Sequence, residues 1–193
     1  MPSEQKMTYE KISSNQVEIS HNWIDYWNQF SSFNTWQFWV TVLLLLVPLI
    51  VLYFTIDRKK ALLLGFYGFN VHVWFTYIDL PGVIFGFWGY PYRAIPFFPY
   101  SFSLDVALVP VIYILVYQWV IKNNKNYYFY FTLLSLFFAF ILKPLMVTLG
   151  LFEFSRGANY FYLFIGYLAI MLVSKWITNL FIWFEKNRST TIN

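Results

Sequence analysis

The sequence predicts an all-α fold: a polytopic membrane helical bundle of five transmembrane helices, with an N-terminal interfacial amphipathic helix and a structured aromatic outer loop. Three observations predict it. Of 193 residues, 59% are hydrophobic and 11% charged, less than half the roughly 25% that a soluble domain carries to cover its surface. The apolar residues form runs long enough to cross hydrocarbon. Aromatic residues reach 25%, with 23 Phe, 16 Tyr and 9 Trp, the residue types that gather at membrane–water boundaries. A typical soluble enzyme is excluded.

Residues 1–20 are polar, carry charges of both signs and read as a mobile tail, helical in part. Residues 21–37 read as an amphipathic helix in the interface plane, because Trp23, Trp27 and Phe30 recur at intervals of four and three on one helical stripe. The alternative is a short helix packed on the protein's own outer face. Residues 38–188 form a single transmembrane domain. Its first span, about 38–56, is uncharged for 19 residues, about 28 Å as helix, with a bend expected at Pro48.

DRKK at 57–60 stops that run, and the second span covers about 61–80, closed by Pro81 and Gly82. The third covers about 104–121, the fourth about 127–149 with Lys143 and Pro144 inside it, and the fifth about 160–184, followed by a tail at 189–193. Residues 81–103 hold Pro81, Pro91, Pro96 and Pro99 with Gly82, Gly86 and Gly89. Irregular backbone leaves unpaired amides that lipid does not satisfy. The segment therefore reads as a structured loop lying over the bundle or dipping into it.

Charge placement supports this count. Five spans put Arg58, Lys59, Lys60, Lys122, Lys125, Lys186 and Arg188 on one side, and only Arg93 and Arg156 near the spans on the other. The positive-inside rule then predicts a cell-membrane protein with its N-terminus outside and its C-terminus cytoplasmic. The net charge of +4 lies in turns between apolar runs, not in a patch, so nucleic acid is not an expected partner. The expected partners are the lipid bilayer and either a lipid or hydrophobic small molecule or another membrane protein. Cysteine is absent and there are two histidines, His21 and His72, which leaves no thiolate or histidine-rich metal site; no cofactor is expected. The mixed, polar 37 residues before Phe38 do not read as a signal peptide.

The topology gathers Asp79, Arg93, Asp105, Lys143, Glu153 and Arg156 near the outer face. An unpaired charge at that depth is costly. Three readings stay open: Asp–Arg and Glu–Lys pairs that pin the loop, a ligand pocket roofed by the loop aromatics Trp88, Tyr90 and Tyr92, and exposure among headgroups. Asn70, His72 and Lys175 are the other polar groups inside spans. His72 and Asp79 share a helical face about 10 Å apart, as stations of a proton path, ends of an amphiphile cleft, or, for His72, a bond to a neighbouring tyrosine or carbonyl. Lys175 and Lys143 have stems long enough to snorkel toward headgroups. Gly65, Gly68 and Gly166 offer flat spots for helix contact.

DRKK at 57–60, Trp74 with Asp79, WGYPYR at 88–93, PF at 96–97, SLD at 103–105, VP at 109–110 and YQW at 117–119 resemble an uncharacterised family of small multi-pass membrane proteins found in bacilli and clostridia. The resemblance covers the chain from about Trp23 onward and implies a bacterial integral membrane protein, with no activity, cofactor or catalytic residue to carry over. Two functional classes follow. The first is non-enzymatic: binding of a lipid or small amphiphile, or interaction with another membrane protein. The second is a small intramembrane enzyme using Asp79, Asp105 or Glu153 for acid–base chemistry on a lipid or isoprenoid.

Overall fold

The computed structural model describes residues 2–188; the tail at 189–193 lies outside the described residues. It is all-α apart from one two-residue ladder. Among the described residues, five helices are long and apolar enough to cross a membrane: Trp36–Thr55, Arg58–Ile84, Ser103–Lys122, Tyr127–Thr148 and Tyr160–Asn187. Their outward side chains are apolar, with Leu62 89% and Phe54 77% exposed, a surface that lipid covers and water would not.

The polar segment expected as a tail is helical. Helix α1 runs unbroken from Ser3 to Tyr26 with no buried residue. Its Lys6–Glu10 contact at 3.9 Å is the one ion pair among the described residues. The interfacial helix expected over 21–37 is interrupted by a π-turn at Trp27–Ser31, and Thr35 then caps α2 (Trp36–Thr55), its Oγ1 accepting from the Phe38 N–H at 3.4 Å. A π-turn closes over five residues instead of four. Phe30 therefore leaves the predicted stripe and is half exposed, while Trp23 and Trp27 turn inward.

Helix α3 (Ala61–Ile84) follows a 3₁₀ turn at Arg58–Lys60 and continues four residues beyond the predicted end at Leu80, through Pro81. Proline here gives up one amide bond, yet the chain continues helical past it, with the Phe85 N–H donating to the Pro81 carbonyl at 2.9 Å. The true stop is Gly86 at φ +69°, with the Phe87 N–H donating to the Gly82 carbonyl (2.8 Å) and the Gly86 N–H to the Val83 carbonyl (3.0 Å). That left-handed Schellman closure favours glycine.

The third span opens with a π-turn, Ser103–Leu108, and becomes α4 (Val109–Lys122). The fourth is α5 (Tyr127–Phe137), a π-turn at Phe138–Leu142, and α6 (Lys143–Thr148). Each of these π-turns ends two residues before a proline, Pro110 and Pro144. A proline ring collides with the carbonyl four residues back, and the wider turn moves that carbonyl aside. Gly150, at φ +70°, closes α6 with the same two bonds that Gly86 makes for α3. Helix α7 (Tyr160–Arg188) runs four residues past the predicted 184.

The core is aromatic. Tyr67 stacks on Tyr117 (4.1 Å), Tyr127 on Phe131 (4.2 Å) and Phe138 on Tyr167 (5.3 Å). Their polar tips are satisfied inside: Tyr67 and Tyr127 share a bond at 2.7 Å, and Tyr127 donates to the Met171 carbonyl at 2.8 Å. Gly68 lies against Ile114 and Gly166 against Ile78, whereas a side chain at Gly65 would meet open space, so the predicted flat contact fails there. Turns 56–60 and 123–126 share the basic end of the bundle, where Gln118 accepts from the Asp57 N–H (2.7 Å) and donates to the Thr55 carbonyl (3.0 Å). The opposite, loop end carries residues 85–102 and 149–159. There β1 (Trp88–Gly89) pairs antiparallel with β2 (Glu153–Phe154), Trp88 opposite Phe154 and Gly89 opposite Glu153.

Candidate functional site

The loop end is built around Asp79, near the C-terminal end of α3 and 5% exposed. Its Oδ1 accepts from Trp88 Nε1 at 2.9 Å and from the Tyr90 hydroxyl at 2.8 Å. Gly82, one turn on from Asp79, makes the first of these bonds possible, because a Cβ there would overlap the Trp88 indole. The Tyr90 hydroxyl in turn accepts from Lys143 Nζ at 3.0 Å. Burial first, and then the Asp79 carboxylate, push the Tyr90 phenol well above its ordinary range, so it stays a neutral donor.

Lys143 does not snorkel. It is 1% exposed, with Nζ 3.9 Å from the centre of the Phe152 ring and 4.9 Å from that of Tyr90, a cation–π setting that replaces part of its lost hydration. The π-turn before it and the proline after it set its direction inward. Asp105, in the other π-turn, is fully buried, and neither carboxylate oxygen has a hydrogen-bond partner in the protein; Asp79 Oδ2 and Ser103 Oγ are in the same condition. Two carboxyl groups and one amine thus share a buried layer in which Asp79 and Lys143 meet through a phenol. A cavity of about 30 Å³ touches Asp79, Trp88 and Lys143, room for about one water molecule.

Arg93 is buried but does not pair with an acid, contrary to the expected Asp–Arg pinning. Its guanidinium lies 3.6 Å from the centre of a Trp23 ring, Nε donates to the Tyr90 carbonyl and Nη1 to the Phe98 carbonyl, each at 3.1 Å. Its own backbone receives Trp27 Nε1 at the carbonyl (2.8 Å) and donates its N–H to Ser31 Oγ (3.1 Å). The second half of α1 and its π-turn are therefore packed on the protein's own loop. Burial lowers the guanidinium to about 10, which leaves it charged at neutral pH. Glu153 and Arg156 do not join the layer; both are exposed, Glu153 on the short ladder and Arg156 at φ +51°. The expected Glu–Lys pair is absent among the described residues.

The remaining predicted groups stand apart. Asn70 donates back to the Phe66 carbonyl of its own helix at 2.9 Å. His72 Nδ1 lies 2.8 Å from the Asp105 carbonyl, to which it must donate, so the ring ties α3 to the π-turn. Lys175 donates to the Tyr117 hydroxyl at 3.0 Å and faces the Tyr117 and Tyr127 rings, deep in the other half of the bundle. Tyr92 and Trp88 pack half-buried on the core. Sequence reasoning left out Phe152 and Ser31; nothing in their spacing marks them. A groove of about 430 Å³ runs between α1 and the loop, lined by Ile19, Asn22, Trp23, Tyr26, Gly89, Tyr90, Pro91 and Glu153.

Five apolar spans with a lipid-compatible exterior and polar groups turned inward define an integral, multi-pass helical membrane protein in contact with the bilayer. No family model, curated protein or solved structure matches the chain.

Proposed function

We propose that the protein binds an amphiphile at its loop end, a lipid or small molecule with an amine-bearing head, without breaking bonds in it. The groove between α1 and the loop carries this reading. Ile19, Trp23, Tyr26 and Pro91 supply an apolar wall, and Glu153 supplies the charge among its lining residues. A volume of about 430 Å³ is within the usual range for small-ligand sites. Tyr90 contributes to the groove and also to the buried hydroxyl bridge, so occupancy and the polar layer share one residue.

Acid–base chemistry at Asp79 is the second reading, favoured by the Asp79–Tyr90–Lys143 chain. It is supported less well, because the cavity beside those groups is about 30 Å³ and admits water, not a lipid head. A bacterial cell-membrane location with the N-terminus outside, and membership in the family of small membrane proteins from bacilli and clostridia, belong to the same proposal. The test is thermal stabilisation of the full chain in detergent by a short-chain phosphatidylethanolamine. Stabilisation that Glu153→Gln reduces severalfold supports the reading. Equal stabilisation by the phosphatidylcholine analogue, or no effect of Glu153→Gln, overturns it.

A further inference from the structure

We propose a second lipid site at the opposite end: the cleft between α3 and α7 holds one anionic phospholipid in the leaflet beside the DRKK turn. The site is independent of the loop-end reading. The cleft has a volume of about 630 Å³, and two kinds of surface meet in it. At its rim stand Lys59 and Lys60, exposed on the 3₁₀ turn and in no ion pair among the described residues. Arg58, beside them, is not available: its guanidinium bends back over Tyr53, 5.3 Å from the ring centre, and its Nη2 donates to the Tyr53 carbonyl at 3.4 Å.

Below the rim the cleft is apolar. Leu62 is 89% exposed, and Phe66 lies against Phe181 at 4.9 Å, opening a greasy channel toward the bilayer centre. Glu185 also lines the cleft, so two ammonium groups face one carboxylate and the rim keeps a positive balance. The α3 start has no side-chain cap at Lys60, while Asp57 caps the 3₁₀ turn before it, its Oδ1 accepting the Lys59 N–H at 3.0 Å, so the lysine ammonium groups carry the positive charge of the rim. Charge at headgroup depth above an apolar channel matches a phosphate joined to acyl chains. A free anion would leave the channel unused, and a zwitterionic lipid would leave the lysines uncompensated.

The test is native mass spectrometry of the full chain released from nanodiscs made of equal phosphatidylglycerol and phosphatidylcholine. Preferential retention of phosphatidylglycerol is expected. Lys59→Gln and Lys60→Gln should each lower it about fivefold, the worth of one basic residue near an anionic surface, while Lys122→Gln with Lys125→Gln leaves it unchanged. Equal retention of the two lipids overturns the proposal, as does an equal loss in the Lys122/Lys125 variant. Excess inorganic phosphate provides an arm that needs no variant: lipid retained in its presence supports the site, and lipid displaced by it overturns the role of the channel.

Discussion

The Tyr90 hydroxyl stands 2.8 Å from Asp79 Oδ1 and joins the loop to the second span. Because the same oxygen accepts Lys143 at 3.0 Å, opposite charges on the second and fourth spans are linked through a neutral group carried by the loop. The loop is thereby part of the bundle's polar core, and removing it strands two ions.

This arrangement predicts a thermodynamic cycle. Asp79→Leu removes the carboxylate that the Tyr90 bridge links to the buried Lys143 and is expected to cost about 3–5 kcal/mol. Adding Lys143→Met should return most of that loss, since an apolar pair of similar volume replaces the ions. Tyr90→Phe should cost about 1–3 kcal/mol by leaving the buried Lys143 amine without its acceptor, while Asp79 Oδ1 keeps Trp88. Detergent-induced unfolding followed by circular dichroism measures all three. A double variant no more stable than Asp79→Leu alone would show that the two charges act separately.

Gly82 and Gly65 lie on one helix with opposite surroundings. Gly82→Ala pushes a methyl group into the Trp88 indole that bonds Asp79, with an expected cost of about 1–3 kcal/mol. Gly65→Ala meets open space and should be neutral or stabilising by up to about 1 kcal/mol through helix propensity. Equal effects in the same unfolding assay would contradict the packing described for Gly82.

Arg93 holds α1 to the loop through Trp23, Trp27 and Ser31. Arg93→Met removes the guanidinium stacked on Trp23 and keeps the backbone bonds to Trp27 and Ser31, so it should loosen α1 ahead of Trp27 while the five-span bundle stays folded, since α1 buries no residue of its own. Limited trypsin digestion at Lys6 and Lys11 should accelerate at least severalfold, with the melting temperature of the bundle little changed. Unaltered cleavage would place the hold on α1 elsewhere.

The cysteine-free sequence makes topology directly measurable. In intact cells, a membrane-impermeant maleimide should label Arg156→Cys and leave Lys125→Cys unlabelled until the cells are opened. The reverse pattern would invert the proposed orientation.

Sequence periodicity made the five spans legible because lipid demands long uncharged runs, and the run limits at DRKK and KNNKN survive within a few residues. Pro81 misled because proline reads as a stop, whereas the stop is written in Gly86, whose left-handed φ is a backbone requirement. Asp79, Arg93, Asp105 and Lys143 were identifiable as costly charges near one face. Their partners were not: a charge pattern suggests ion pairs, but Arg93 found carbonyls and an indole, and Asp79 reached Lys143 through Tyr90. The directions of Asp105 and Lys143 depend on the π-turns at 103–108 and 138–142, which rotate the side chains by an amount that a regular helical period does not contain. The full extent of the helix over residues 3–20 was less legible, since Met7, Tyr9, Ile12, Val17 and Ile19 stand among polar residues without forming a continuous apolar stripe.

The most direct test of the loop-end reading is hydrogen–deuterium exchange of the full chain in nanodiscs, with and without a saturating short-chain phosphatidylethanolamine. Slower exchange is expected in two stretches of the groove, residues 19–26 and 89–90, with the spans at the basic end unchanged. Protection absent from both stretches, or spread evenly over all lipid-facing helices, would contradict it.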